Sequence, residues 1–278
     1  MISAAEFFSY FSYSYVRNAL LVGVLVALSA SLLGVVLVLK RYSYLGDGLS
    51  HVAFGATALA TVINMADSLL VVMPVTVIAA ILLLGRGDGK KIHGDAALAM
   101  LSVGSLAVGY VLLNLFPSSS NIAGDVCSSL FGSSSILTLG QRDVAVSVIM
   151  SAVVVSVFLL FYNKIFALTF DPAFMQSAGG NARRYDLMLA VLCAVVISLS
   201  MRLVGSLLVS ALIIFPAISA MCVFSSFRKC IVFSAVIGVS CAALGMVVSM
   251  LFGTPSGASI VLCDIIAFGV CKVVSKAR

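Results

Sequence analysis

The sequence has 278 residues, of which 62% are hydrophobic and only 9% are charged, and its formal net charge is +6. Soluble domains carry roughly 25% charged residues, so this chain lacks the polar surface that a water-soluble fold of its size requires. These values exclude a soluble enzyme, a DNA-binding domain and a disordered tail, and they place the chain in a membrane.

Long apolar runs predict membrane-spanning helices. A helix needs about 20 apolar residues to cross a hydrocarbon core of roughly 30 Å, whereas a membrane β-barrel shows alternating segments of about 10 residues. The predicted fold class is therefore all-α, a polytopic membrane protein forming a single domain over residues 1–278. Nine candidate spans are present, or eight if one of the shorter runs is re-entrant: 19–39, 49–65, 68–84, 96–116, 144–162, 187–201, 203–224, 230–252 and 258–271.

The basic residues predict the orientation of these spans, because short cytoplasmic loops are enriched in Lys and Arg. With nine spans and the N-terminus outside, only Arg17, Arg142 and Arg202 fall on the outer side. Segment 163–186 then becomes a cytoplasmic loop. The remaining cations lie against anionic lipid headgroups, so no nucleic-acid partner is expected. Aromatic residues crowd segment 1–18, which is typical of a segment lying at the membrane interface.

Asp47 and His51 open the second predicted span. Residues four apart share one face of a helix, and a carboxylate beside an imidazole forms a ligand pair for Zn²⁺, Mn²⁺ or Fe²⁺. The alternative is that Asp47 caps the helix and His51 is a hydrogen-bonded core residue. Acids inside a membrane are costly and therefore suspected of function. Two ligands leave a site incomplete, and waters or a second copy of the chain could complete it.

Asp264 is the other acid within a predicted span. Two interpretations stay open for it. It lines the same ion route as a third metal-binding residue, or it lies at a frayed helix end.

A short helix is predicted inside the cytoplasmic loop. Asp171 can cap it, Pro172 suits its first position, and Gly179 or Gly180 can adopt the left-handed conformation that ends it. About seven residues give a rod of roughly 10 Å, too short to span a membrane. Phe174 and Met175 make it an apolar knob for another protein, or else it is only a connector.

At these residues the sequence resembles the permease subunits of ABC importers for zinc, manganese and iron. The resemblance covers nearly the whole chain and is carried by five motifs in order: Gly46-Asp47-x-x-Ser50-His51, Leu130-Phe131-Gly132, Phe170-Asp171-Pro172, the segment 204–217 that begins Val204-Gly205-Ser206 and ends Phe215-Pro216-Ala217, and the segment 255–261 that begins Pro255-Ser256-Gly257.

The resemblance implies a type II-like importer permease in a bacterial inner membrane, either a homodimer or a heterodimer. It implies two cytoplasmic ATPase subunits and an extracytoplasmic metal-binding protein as partners. It also implies that Asp47 and His51 lie on the metal route. The helix seated on the ATPase would be the one that contains Asp171, Pro172, Phe174, Met175, Gln176 and Gly179.

The chain is not expected to be an enzyme or to hold a permanent cofactor. A P-loop needs G-x-x-x-x-G-K-[ST], and the closest string, residues 85–91, has neither the spacing nor the hydroxyl. ATP hydrolysis is therefore expected on a partner subunit.

Two other classes are weighed against an ATP-driven importer. A secondary transporter or facilitator typically shows inverted repeats with broken helix pairs, and the sequence shows no such pairing. An intramembrane metalloprotease would need H-E-x-x-H, and no Glu follows Glu6. Zinc is the favoured cargo because an Asp–His pair suits it. Manganese and ferrous iron are close behind, because ligand type alone does not separate the three metals.

Overall fold

Eleven helices account for most of the residues that the computed structural model describes, namely 13–65, 67–84, 94–116 and 140–276. The first twelve residues of the predicted interfacial segment, the string 85–91 and the Leu130-Phe131-Gly132 motif lie outside the described residues. In chain order the helices are α1 (Ser14–Leu39), α2 (Leu45–Val62), α3 (Leu69–Leu84), α4 (Gly94–Leu115), α5 (Gln141–Leu160), α6 (Tyr162–Phe170), α7 (Pro172–Ser177), α8 (Ala182–Val204), α9 (Ser206–Val223), α10 (Phe227–Phe252) and α11 (Ser256–Lys276).

Every predicted apolar run carries a helix, and no strand occurs in the described parts of the chain, which confirms the all-α class. Among the described helices, six are long and apolar enough to cross a membrane: Ser14–Leu39, Ala96–Leu115, Gln141–Leu160, Ala182–Met201, Phe227–Phe252 and Ser256–Lys276. Two further apolar helices, Leu69–Leu83 and Val209–Val223, are shorter. The predicted count of eight or nine spans is therefore not confirmed.

Close helix packing rests on glycine. A Cβ added to Gly34 of α1 would lie 2.0 Å from the carbonyl oxygen of Ile213 in α9, and one added to Gly245 of α10 would lie 2.5 Å from the Cα of Ile260 in α11. Lipid supplies no hydrophobic drive between apolar helices, so backbone contact at small residues becomes a main source of packing energy. Most residues of the buried hydrophobic core lie on α1, α2, α8 and α9.

The N-terminal boundary differs from the prediction. Helix α1 begins at Ser14, five residues before the predicted span, and Val16 is buried. Residues 14–18 therefore extend the first helix, and Val16 is the residue of this extension that packs into the bundle.

Segment 163–186 is also more ordered than a loop. It contains most of α6, all of α7 and the first turn of α8. Aromatic rings fix α6 against the start of α10: the ring centroids of Phe166 and Phe170 lie 5.2 and 5.7 Å from that of Phe227. An ion pair between Lys40, at the end of α1, and Asp186 of α8 holds the same region to the core.

Candidate metal site and coupling helix

Asp47 and His51 face each other on the first turns of α2. The distance from His51 Nε2 to Asp47 Oδ1 is 3.7 Å. Two ligand atoms of a tetrahedral zinc, each about 2.0–2.1 Å from the metal, are about 3.4 Å apart. A contraction of only a few tenths of an ångström would therefore let both atoms bind one cation.

The exposure of the pair is uneven. The Asp47 side chain is 47% exposed, whereas that of His51 is 13% exposed. The Nδ1 atom of His51 is buried and has no hydrogen-bond partner among the described residues. The pair thus presents an accessible carboxylate oxygen beside a sheltered imidazole, which is an arrangement that a cation can reach from one side.

The capping alternative for Asp47 is wrong. Helix α2 begins at Leu45, and Tyr44 occupies the N-cap position without a side-chain hydrogen bond. Asp47 lies inside the first turn, where a negative charge is favoured by the helix dipole. Its side chain is therefore free to contact other groups instead of closing the helix end.

Two glycines let neighbouring helices approach Asp47. A Cβ on Gly46 would lie 3.1 Å from Ile213 Cδ1 in α9, and a Cβ on Gly48 would lie 2.8 Å from Leu98 Cδ2 in α4. The first turn of α2 is consequently held between α9 and α4. This approach brings the Ser210 hydroxyl of α9 to 3.4 Å from Asp47 Oδ1, a contact that the sequence did not reveal.

Asp264 does not join this pair. It is buried in α11, and Cys241 of α10 lies beside its carboxylate. In the portion of the chain that is described, no three His, Cys, Asp or Glu side chains are arranged to hold a metal ion. The frayed-end interpretation of Asp264 is wrong, because the residue lies inside a helix of 21 residues, whereas its place on the ion route stays a prediction.

The predicted short helix is confirmed as α7. Asp171 Oδ1 accepts a hydrogen bond of 2.8 Å from the Phe174 amide, and Pro172 takes the first helical position. At the other end Gly179 has φ +79°, and the amides of Gly179 and Gly180 donate to the carbonyls of Gln176 and Met175. This paired bonding around a left-handed glycine is the Schellman motif, so local sequence signals define both ends.

The two apolar residues of α7 have different environments. Phe174 is 64% exposed, whereas Met175 is 3% exposed and belongs to the hydrophobic core. The expectation that both form a surface knob is therefore corrected, because Met175 turns inward and anchors the helix. Phe174 and Gln176 remain on the exposed side.

Comparisons with known proteins agree with this architecture. The manganese transport system membrane protein MntC of Listeria monocytogenes is 28% identical over 92% of this chain and 89% of its own length. The high-affinity zinc uptake system membrane protein ZnuB of Haemophilus influenzae is 27% identical, covering 90% and 94%. Among solved structures, PsaBC from Streptococcus pneumoniae in complex with Fab superposes with a TM-score of 0.84 at 26% identity, covering 97% of this chain and 95% of that chain.

The apolar helices of the described chain, together with these relatives, define a multi-pass membrane protein of the transport class. The model of the ABC 3 transport family matches residues 12–275, and the chain belongs to that family. It is thus a membrane-embedded permease, and its place is the cell membrane.

Proposed function

We propose that this chain is the permease of an ATP-driven importer for divalent transition-metal ions, and that Asp47 and His51 bind the ion during its passage. The proposal is supported most directly by the 3.7 Å separation of His51 Nε2 and Asp47 Oδ1 beside an accessible carboxylate. The manganese and zinc transport proteins among its relatives support the same class of cargo. Zinc stays the prediction from the ligand types, although relatives named for either metal match about equally well.

The pair is suited to transient binding. A transported ion must bind well enough to enter and weakly enough to leave, and two protein ligands leave room for waters to complete the shell. A second copy of the chain could instead contribute its own Asp47 and His51 across a two-fold axis. We propose a homodimer with nine spans in each copy as the assembly.

Energy would arrive through α7. The exposed Phe174 ring gives a separate ATPase subunit an apolar contact, and the buried Met175 side chain would carry displacement of α7 into the core. An extracytoplasmic metal-binding protein would deliver the ion on the other face.

Uptake by the permease reconstituted with its ATPase and its metal-binding protein tests the metal route. Asp47→Ala and His51→Ala should each abolish uptake of zinc and manganese, while Asp67→Ala should leave it unchanged. Asp67 is a suitable control because its Oδ1 accepts only a local hydrogen bond, from the Leu69 amide, in the described contacts. Normal uptake by both site variants would remove Asp47 and His51 from the route.

A facilitator remains the second candidate. A stand-alone secondary transporter or facilitator would move metal into vesicles that contain the permease without any ATPase, whereas an ATP-driven permease should not. Robust transport there would favour the stand-alone class.

A further inference from the structure

The hydroxyl of Ser210 contacts Asp47 from a different helix. Its Oγ lies 3.4 Å from Asp47 Oδ1, the same oxygen that lies 3.7 Å from His51 Nε2. We infer that Ser210 is a positioning residue that holds the Asp47 carboxylate toward His51. This inference rests on the proposed function of the pair and adds a third side chain to it.

The hydroxyl is carried by a rigid part of α9. Ile213, one turn beyond Ser210, is in contact with both neighbouring helices: its carbonyl oxygen would be 2.0 Å from a Cβ on Gly34, and its Cδ1 3.1 Å from one on Gly46. A Cβ on Gly46 would also lie 3.7 Å from the Cα of Ser210 itself. The backbone that carries the hydroxyl therefore packs directly against α1, at a contact that leaves no room for a side chain on Gly34, and lies in van der Waals contact with α2 at Gly46.

A hydroxyl has the right chemistry for this role. The Asp47 side chain is 47% exposed, so without a partner its carboxylate would rotate among several rotamers. One O–H donor fixes Oδ1 without neutralising its charge, whereas a Lys or Arg at this place would compete with the incoming cation. Groups that orient a metal ligand in this way typically change metal affinity by about 10–100-fold when removed.

Three serine variants test the role. Ser210→Ala should raise the KM for metal uptake about tenfold, at the low end of that range because the 3.4 Å contact is long, while kcat at saturating metal stays unchanged. Ser210→Thr, which keeps the hydroxyl, should restore the KM. Ser219→Ala is the matched control on the same helix, because Ser219 donates to the Phe215 carbonyl 2.7 Å away and is buried.

The outcomes separate this inference from the proposed function. A selective rise in KM for Ser210→Ala, with normal values for Ser210→Thr and Ser219→Ala, supports the positioning role. Equal behaviour of Ser210→Ala and Ser219→Ala would overturn it, as would a loss of kcat and thermal stability with no change in KM. Because Asp47→Ala and His51→Ala are measured in the same vesicles, normal uptake by both would instead overturn the metal route, and the role of Ser210 with it.

Discussion

Gly34 is the position where one added methyl group most directly tests the packing between α1 and α9. In Gly34→Ala the new Cβ would lie 2.0 Å from the Ile213 carbonyl oxygen and 3.0 Å from its carbonyl carbon. Cβ contacts under 3.0 Å are essentially never found. Both groups are tied to helical backbone, so a side-chain rotation cannot relieve the overlap. The two helices must move apart by about 1 Å.

Two opposing effects set the expected change in the free energy of unfolding of Gly34→Ala. Overpacking costs about 1–3 kcal/mol, and the better helix propensity of alanine offsets at most about 1 kcal/mol. Because the clash involves backbone on both sides, we expect a net loss of about 2 kcal/mol. That corresponds to roughly a 30-fold fall in the ratio of folded to unfolded protein.

The assay is unfolding of the purified permease in mixed micelles as the fraction of denaturing detergent rises, followed by circular dichroism. Gly269→Ala is the control, because a Cβ there has nothing within 4 Å, and it should gain up to about 1 kcal/mol. Gly23→Ala should be milder than Gly34→Ala, because its Cβ meets the flexible end of the Met246 side chain, Cε and Sδ, instead of backbone. Equal stability of Gly34→Ala and Gly269→Ala would refute the reasoning.

Three further predictions concern the Lys40–Asp186 ion pair, the buried Asp264 and the two apolar residues of α7. Lys40→Met should destabilise the protein by about 1.5–3 kcal/mol because it leaves the Asp186 carboxylate unpaired, and adding Asp186→Leu should recover most of that loss; strict additivity in this double-mutant cycle would show that the pair does not interact. Asp264→Asn should keep metal uptake, because Asp264 belongs to no cluster of three metal-ligating side chains among the described residues; lost uptake at normal expression would place Asp264 on the ion route. Phe174→Ala should reduce co-purification of the ATPase without affecting stability, whereas Met175→Ala should cost about 2–5 kcal/mol of stability; the reverse pattern would contradict the orientation of α7.

Features that depend on residues close together in the chain could be predicted from the sequence. Helix α7 is an example, because Asp171, Pro172 and Gly179 each act on their own backbone, and both helix ends were predicted from them. The Asp47–His51 pair was equally accessible, since helical periodicity alone brings residues four apart onto one face.

Features that depend on tertiary packing were not accessible. Ser210 and Asp47 are 163 positions apart, and Lys40 and Asp186 are 146 apart, so no local pattern links either pair. The inward orientation of Met175 depends on which side of α7 meets the core, and a helix of six residues is too short for periodicity to decide that. The number of spans stays a prediction for a related reason, because composition locates an apolar helix without fixing how far it extends.

The exposed Phe174 side chain of α7 is also a suitable position for a fluorescent probe. The chain contains no tryptophan, and Phe174 lies on the exposed side of a helix whose neighbour Met175 is buried. In a Phe174→Trp variant the indole would be the only one in the permease, so a tryptophan-free ATPase preparation would leave a single emitter at the junction of the two subunits. The emission wavelength and quenching of that one fluorophore would report docking in real time, because the natural permease contributes no tryptophan emission.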